Sequence, residues 1–193
     1  MSGKQIAWVV AGVVAVAAIA AGLSSESGQV QAYGEVAIAG EALPRFEPGP
    51  TDPAEGTPAP TITGETVSVS PGSNPTIVLF LAHWCPHCQA EVPRLTDWVE
   101  ANGMPAGIDV VTVATSSTPS QGNYPPSAWL EREEFPFPVI YDDEESTAAI
   151  AYGLSAFPFW VVIDSDGNVV DRFTGELPNE SEITELFSST AGL

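Results

Sequence analysis

The chain has 193 residues, which suits one domain with extensions, and its net charge is −20 because 25 acidic residues face five basic ones. Nucleic-acid binding needs a basic surface, so this composition excludes that class of function. The two cysteines lie three residues apart, which is too few and too close for a disulfide-stapled scaffold and leaves them for chemistry or metal binding.

The first predicted element is an uncharged apolar run of 18 residues, 6–23. This length can span a bilayer, and Lys4 before it would stay in the cytoplasm, which places the rest of the chain outside. Ala18 and Ala20 also fit a signal-peptide cleavage site. Residues 1–23 are therefore predicted to be a transmembrane anchor or a signal peptide. Both alternatives place the domain outside the cytoplasm, on the cell membrane through a single helix or as a secreted protein.

The next segment, residues 24–56, is rich in proline, glycine, alanine and acidic residues. Repeated prolines interrupt regular elements, so this segment is predicted to be a linker, with a short edge strand within 30–38. The folded domain is predicted to span residues 57–193.

Hydrophobic patterning in residues 57–193 predicts alternating strands and helices. Uninterrupted apolar runs indicate buried strands, and apolar residues that recur every three to four positions indicate helices. The predicted strands are 61–63, 66–69, 76–82, 108–115, 138–141, 159–164 and 169–173, and the predicted helices are about 85–102, 127–134, 146–152 and 179–189. This order is typical of an α/β fold with antiparallel pairing at one edge.

The motif Trp84-Cys85-Pro86-His87-Cys88 lies between a predicted buried strand and the helix that follows it. The unpaired N–H groups and the dipole of a helix N-terminus stabilise a thiolate, which makes Cys85 the candidate nucleophile, exposed to solvent. Cys88 lies one turn later, within disulfide reach, and is the candidate buried resolving thiol. Pro86 suits the first helical turn, and a charged or hydrogen-bonding His87 would make the disulfide more oxidising.

A metal site is the alternative interpretation of the same cysteines. His83 and His87, the only histidines, would complete four ligands, but there is no second CxxC motif and Pro86 restricts the geometry. Haem attachment would need a histidine directly after Cys88, where Gln89 stands. We therefore predict neither a metal nor a cofactor.

A series of motifs runs in order through the domain. Its members are Gly56-Thr-Pro-Ala-Pro60, Trp84-Cys-Pro-His-Cys88, Glu91 with Pro93, Tyr152-Gly-Leu-Ser-Ala-Phe-Pro158, Phe159-Trp-Val-Val-Ile-Asp164, Asp166-Gly167 and Gly175. Through them the region 57–187 resembles the thioredoxin superfamily and, more narrowly, the TlpA/ResA branch of membrane-tethered thiol–disulfide oxidoreductases, with a DsbA-type Cys-Pro-His-Cys motif. The resemblance implies a thioredoxin-like α/β fold, in which a central mixed sheet has helices on both faces.

The resemblance also implies a substrate groove beside the cysteines. It makes Pro158 a cis-proline opposite the CxxC motif, whose neighbouring backbone pairs with a bound substrate strand. Phe157, Trp84 and Pro86 would line this groove. The alternative interpretation of Pro158 is an ordinary proline at the start of a strand.

Glu91 matches the active-site glutamate of the ResA-like branch and would exchange a proton near Cys88. Alternatively, it is an exposed first-turn glutamate that the helix dipole stabilises. Thioredoxins proper carry a buried aspartate where Leu79 stands here, so proton handling would fall to Glu91, water or His87.

Together these features predict an extracytoplasmic thiol–disulfide oxidoreductase that oxidises, isomerises or reduces cysteines of exported proteins. Its predicted partners are those thiols and disulfides, an unidentified membrane redox partner and, through the N-terminal helix, the membrane. The branch resembled is one of reductases, whereas the Pro-His dipeptide favours an oxidising pair, so the direction of electron flow stays open. The alternative function is a metal-handling or chaperone-like binding module with the same fold.

Overall fold

The computed structural model describes residues 30–72 and 74–193. The predicted anchor or signal peptide, residues 1–23, lies outside the described residues. Within the described ranges, no helix combines the length and the apolar character that crossing a membrane would require.

The described residues form eight strands and four helices. They are β1 (Ala37–Ala39), β2 (Thr61–Thr63), β3 (Ser68–Val69), β4 (Thr76–Leu81), α1 (Pro86–Asn102), β5 (Asp109–Ala114), α2 (Pro126–Arg132), β6 (Val139–Tyr141), α3 (Thr147–Ala151), β7 (Phe159–Ile163), β8 (Val169–Thr174) and α4 (Glu180–Thr190). Each element predicted within residues 57–193 is present, with ends that differ by at most three residues.

A mixed five-stranded sheet with the order β6-β5-β4-β7-β8 forms the centre of the fold. Its middle strand, β4, runs parallel to β5 and antiparallel to β7, so that Leu79 pairs with Thr112 on one side and with Trp160 on the other. All six residues of β4 are buried, as its uninterrupted apolar sequence indicates. The smaller sheet, β1-β2-β3, is antiparallel.

Two cores lie on opposite faces of the large sheet, because successive side chains of a strand point in opposite directions. Ile77 and Leu79 pack with α1, α2 and α4 on one face. Val78 and Phe80 pack with α3, the small sheet and the chain between β1 and β2 on the other. Helices therefore cover both faces of the mixed sheet.

Residues 30–56, predicted as a linker, pack against the domain instead. Strand β1 extends the small sheet by pairing with β2, and Leu43 and Phe46 are buried in the core beneath α3. Asp52 receives two hydrogen bonds of 2.6 Å from the buried guanidinium of Arg172. A few apolar side chains and one ion pair thus hold this proline-rich segment, which has little regular structure, against the domain.

Candidate functional site

The cysteine motif follows the last residue of β4 and opens helix α1. Cys85 is the N-cap residue, with an extended backbone, and Pro86 occupies the first helical position. The Cys85 carbonyl accepts the first hydrogen bond of the helix, from the N–H of Gln89 at 3.0 Å. The buried central strand thereby holds Cys85 at the positive end of the α1 dipole, where a thiolate is stabilised.

Both cysteines carry free thiols, but their surroundings differ. Cys85 is 6% exposed, whereas Cys88 is completely buried within the core under α1. The prediction that Cys85 is exposed overstates its exposure, because the residue belongs to the same apolar core and only a small fraction of its surface reaches solvent. Burial raises the pKa of the Cys88 thiol far above its usual range, and the adjacent Cys85 sulfur raises it further.

The peptide bond between Phe157 and Pro158 is cis. The Phe157 carbonyl oxygen lies 3.9 Å from the sulfur of Cys85. The rings of Trp84 and Phe157 meet edge to face at 5.7 Å, and both residues are half-buried, while Pro86 is exposed. Two residues predicted to line the groove, Trp84 and Phe157, thus lie beside Cys85, the more exposed of the two cysteines.

Glu91 is fully buried, so the alternative of an exposed first-turn glutamate is wrong. Its Oε2 accepts a hydrogen bond of 3.0 Å from the N–H of Leu177 and one of 3.4 Å from Arg94. Its Oε1 has no hydrogen-bond partner among the described residues. Burial raises the pKa of Glu91 to about 7, although the bond from Leu177 and the charge of Arg94 oppose the shift.

Glu91 follows Cys88 by three residues on α1, so the two side chains are neighbours on the helix surface, and the charge of Glu91 adds to the raised pKa of the Cys88 thiol. A carboxyl group with an unused oxygen and a pKa near neutrality can accept or release a proton at physiological pH. The structure thus brings a candidate proton acceptor to the thiol that is hardest to ionise.

The ring of His87 contacts the β8–α4 connection. Its Nδ1 lies 2.5 Å from Oε1 of Glu176, and within the described chain no hydrogen bond joins its ring to either sulfur. Oε2 of Glu176 also bonds Arg94, at 2.6 Å. Sequence reasoning missed Glu176 and Arg94. Their only sequence signals are the position of Arg94, three residues after Glu91, and that of Glu176, directly after the Gly175 of the motif series.

His83 is buried and uses both ring nitrogens. Nδ1 donates to the carbonyl of Gly122 at 2.7 Å, and Nε2 accepts from the N–H of Thr118 at 3.0 Å, the tautomer that satisfies both contacts. A ligand set that combines His83 with the cysteines is therefore not assembled. Over residues 30–72 and 74–193, no group of three or more His, Cys, Asp or Glu side chains is arranged to hold a metal ion.

Comparison with known proteins gives both sequence and structural matches. Residues 38–187 match the model of the Redoxin family. The chain is 30% identical over 104 residues to the thiol:disulfide interchange protein DsbE homolog of Paracoccus denitrificans. It is 25% identical over 118 residues to the thiol:disulfide interchange protein HelX of Rhodobacter capsulatus.

These alignments cover 54% and 60% of the chain, and the chain spans only 52% and 62% of the lengths of the two curated relatives. A solved structure with the same fold is a thiol:disulfide interchange protein DsbE from Chlorobium tepidum, described as putative in its own name. It has a TM-score of 0.56 and 22% identity over 71% of this chain and 96% of its own.

Proposed function

The chain belongs to the redoxin family, and from this premise we propose that it is a thiol–disulfide oxidoreductase. The observation that carries the proposal is the contrast between its two cysteines. Cys85 reaches the surface at a helix N-terminus beside the Phe157 carbonyl, while Cys88 is buried one turn behind it. The names of the two curated relatives, both thiol:disulfide interchange proteins, support the same activity.

In the reducing direction, the thiolate of Cys85 attacks one sulfur of a substrate disulfide. A mixed disulfide forms, and the other substrate sulfur leaves as a thiolate that takes up a proton. Cys88 then gives its proton to Glu91 and attacks the Cys85 sulfur, which releases the second substrate thiol and closes the Cys85–Cys88 disulfide. Two electrons pass from the protein to the substrate, and the same steps in reverse oxidise a substrate dithiol.

The substrate groove is formed by Trp84, Pro86 and Phe157. The two half-buried rings offer apolar contact area next to the reacting sulfur, and the backbone beside Pro158 offers hydrogen bonds to an extended segment. This combination suits a cysteine within an unfolded or flexible protein segment.

The finer placement proposed is that of a TlpA/ResA-like protein with its catalytic domain outside the cytoplasm. The apolar run of residues 6–23, which is long enough to cross a bilayer, supports this placement. Disulfides form and persist in the oxidising environment outside the cytoplasm, which agrees with the proposed exchange. Exported proteins would be the substrates, and a membrane protein that exchanges electrons with Cys85 and Cys88 would be the partner. Because both ring nitrogens of His83 are hydrogen-bonded, a metal site that combines His83 with the cysteines has less support than thiol–disulfide exchange.

Trapping of a mixed disulfide tests the activity directly. The Cys88→Ser variant, incubated with a disulfide-containing model protein such as insulin, should accumulate a covalent complex through Cys85. Cys85→Ser should form none and should lose insulin reduction. Full turnover by Cys85→Ser, or the absence of any complex with Cys88→Ser, would refute the proposed roles.

A further inference from the structure

The connection between β8 and α4 contains the three residues Gly175, Glu176 and Leu177, here called the clamp loop. Each of them contacts a residue of the site. The N–H of Gly175 donates to the carbonyl of Pro158 at 2.9 Å. The N–H of Leu177 donates to Glu91 at 3.0 Å. Between these two anchors, the side chain of Glu176 reaches the first turns of α1. Its position is therefore fixed by the same backbone that supports the groove.

The carboxylate of Glu176 bonds two basic side chains of helix α1, one with each oxygen. Oε1 contacts Nδ1 of His87 at 2.5 Å, and Oε2 contacts Arg94 at 2.6 Å. These two partners hold the pKa of Glu176 below its usual range, so the group stays ionised in mildly acidic solution. The Glu176 side chain is 22% exposed, compared with 67% for His87, so the carboxylate is the more firmly enclosed member of the pair.

His87 alone would favour the reduced form of the cysteine pair. A protonated imidazole next to the motif stabilises a thiolate on Cys85, and whatever stabilises that thiolate makes the disulfide a stronger oxidant. The adjacent carboxylate changes this balance, because it offsets the imidazolium charge and binds the Nδ1 atom of the ring.

We propose that Glu176 is a positioning residue that binds His87, neutralises its charge and makes the Cys85–Cys88 pair less oxidising than its Pro-His dipeptide would otherwise make it. The inference rests on the proposed thiol–disulfide exchange and deepens it by naming a residue that adjusts the reduction potential of the cysteine pair.

The test is the redox equilibrium of the pair with glutathione, measured from pH 5.5 to pH 7.5, so that the range covers conditions that favour a protonated histidine and conditions that favour a thiolate. The protein is brought to equilibrium over a range of ratios of reduced to oxidised glutathione and quenched with acid. Its free thiols are then alkylated, and the reduced fraction is determined by mass spectrometry. Glu176→Gln should shift the equilibrium constant towards the dithiol roughly three- to tenfold, which corresponds to a potential ~15–30 mV more oxidising. Glu180→Gln, which removes the same charge from the exposed start of α4, should leave the constant unchanged.

The same substitution in a His87→Ala background separates a role through His87 from a general effect of charge. In that background, the shift in the equilibrium constant caused by Glu176→Gln should be clearly smaller, because there is no imidazole whose charge Glu176 could neutralise. An undiminished shift in that background, no shift in the native one, or a shift towards the disulfide would overturn the proposal. The native protein provides the separate test of exchange itself: if its cysteines never equilibrate with glutathione, the proposed function fails before Glu176 is considered.

Discussion

The backbone N–H of Leu177 donates a 3.0 Å hydrogen bond to Oε2 of Glu91, and the other carboxylate oxygen has no partner in the described part of the chain. This bond and the weaker contact with Arg94 do not compensate for complete burial, so the pKa of Glu91 is raised to about 7. This relationship links stability and catalysis, because the site keeps a carboxyl group that is easily protonated.

The first prediction concerns stability as a function of pH. Since the pKa of Glu91 is raised in the folded protein, its contribution is fully present below the ordinary glutamate pKa of ~4.3 and is lost as pH rises to about 7. Glu91→Gln removes the buried charge and should raise the free energy of unfolding at pH 8 by about 2 kcal/mol. Denaturant unfolding of the reduced protein at pH 5 and pH 8 measures this difference. Asp97→Asn, an exposed change on the same helix, should have little effect at either pH.

The second prediction concerns the rate at which Cys88 resolves the mixed disulfide. Glu91→Gln cannot accept the Cys88 proton, so we expect this step to slow at least tenfold at pH 7 and to lose its rise with pH around 7. Stopped-flow measurement of thiol release from a preformed mixed disulfide isolates the step. An unchanged rate and pH profile would show that another base, such as water, takes this proton.

The third prediction concerns selective alkylation. Cys85 reaches solvent at a helix N-terminus, whereas burial raises the pKa of the Cys88 thiol, so iodoacetamide should modify Cys85 at least a hundredfold faster at pH 7. Peptide mapping by mass spectrometry after short exposures gives both rates. The Cys88→Ser variant should react at nearly the native rate. Preferential labelling of Cys88 would mean that Cys88 is the nucleophile and Cys85 the resolving thiol.

The fourth prediction concerns the groove. Phe157→Ala removes a ring that contacts Trp84 beside the reacting sulfur, so reduction of a protein disulfide should lose about threefold to tenfold in kcat/KM. Reduction of glutathione disulfide, which is too small to fill an extended groove, should change much less. Ile150→Ala provides the control, because Ile150 is 67% exposed on α3 and lies outside the groove. Equal losses for both substrates would point to a distorted site.

The fifth prediction concerns the segment before β2. Asp52→Ala leaves the Arg172 guanidinium buried without its carboxylate, and the loss of one member of a buried pair costs about 3 kcal/mol of unfolding free energy. Urea unfolding measures the change, with Glu55→Ala, an exposed acidic neighbour, as the control. A loss similar to that of the control would mean that the 30–56 segment adds little to stability.

The local elements of this fold could be predicted from the sequence because their signals are local. The apolar run of β4 indicates a strand covered on both faces, and its six residues are buried. The pattern Asn179-Glu-Ser-Glu182 predicts a helix start, and the Asn179 side chain does accept a hydrogen bond from the N–H of Glu182 at 3.1 Å. The position of Cys85 at the N-terminus of α1 follows in the same way.

The remaining features depend on partners that are distant in the chain. The ion pair of Asp52 and Arg172 joins residues 120 positions apart, and the contact of His87 with Glu176 joins residues 89 positions apart. No pattern of spacing or charge distinguishes these acidic residues from the other exposed ones. The burial of Glu91 likewise depends on how α4 and the clamp loop close over α1.

The packing of residues 30–56 has a practical result for work with the isolated domain. A fragment that starts at residue 57 would lack Leu43 and Phe46 in one core and would leave one edge of β2 without its partner strand. It would also leave the buried Arg172 guanidinium without its carboxylate partner. Such a fragment would be expected to aggregate. Affinity tags and fusion partners should therefore be attached ahead of residue 30.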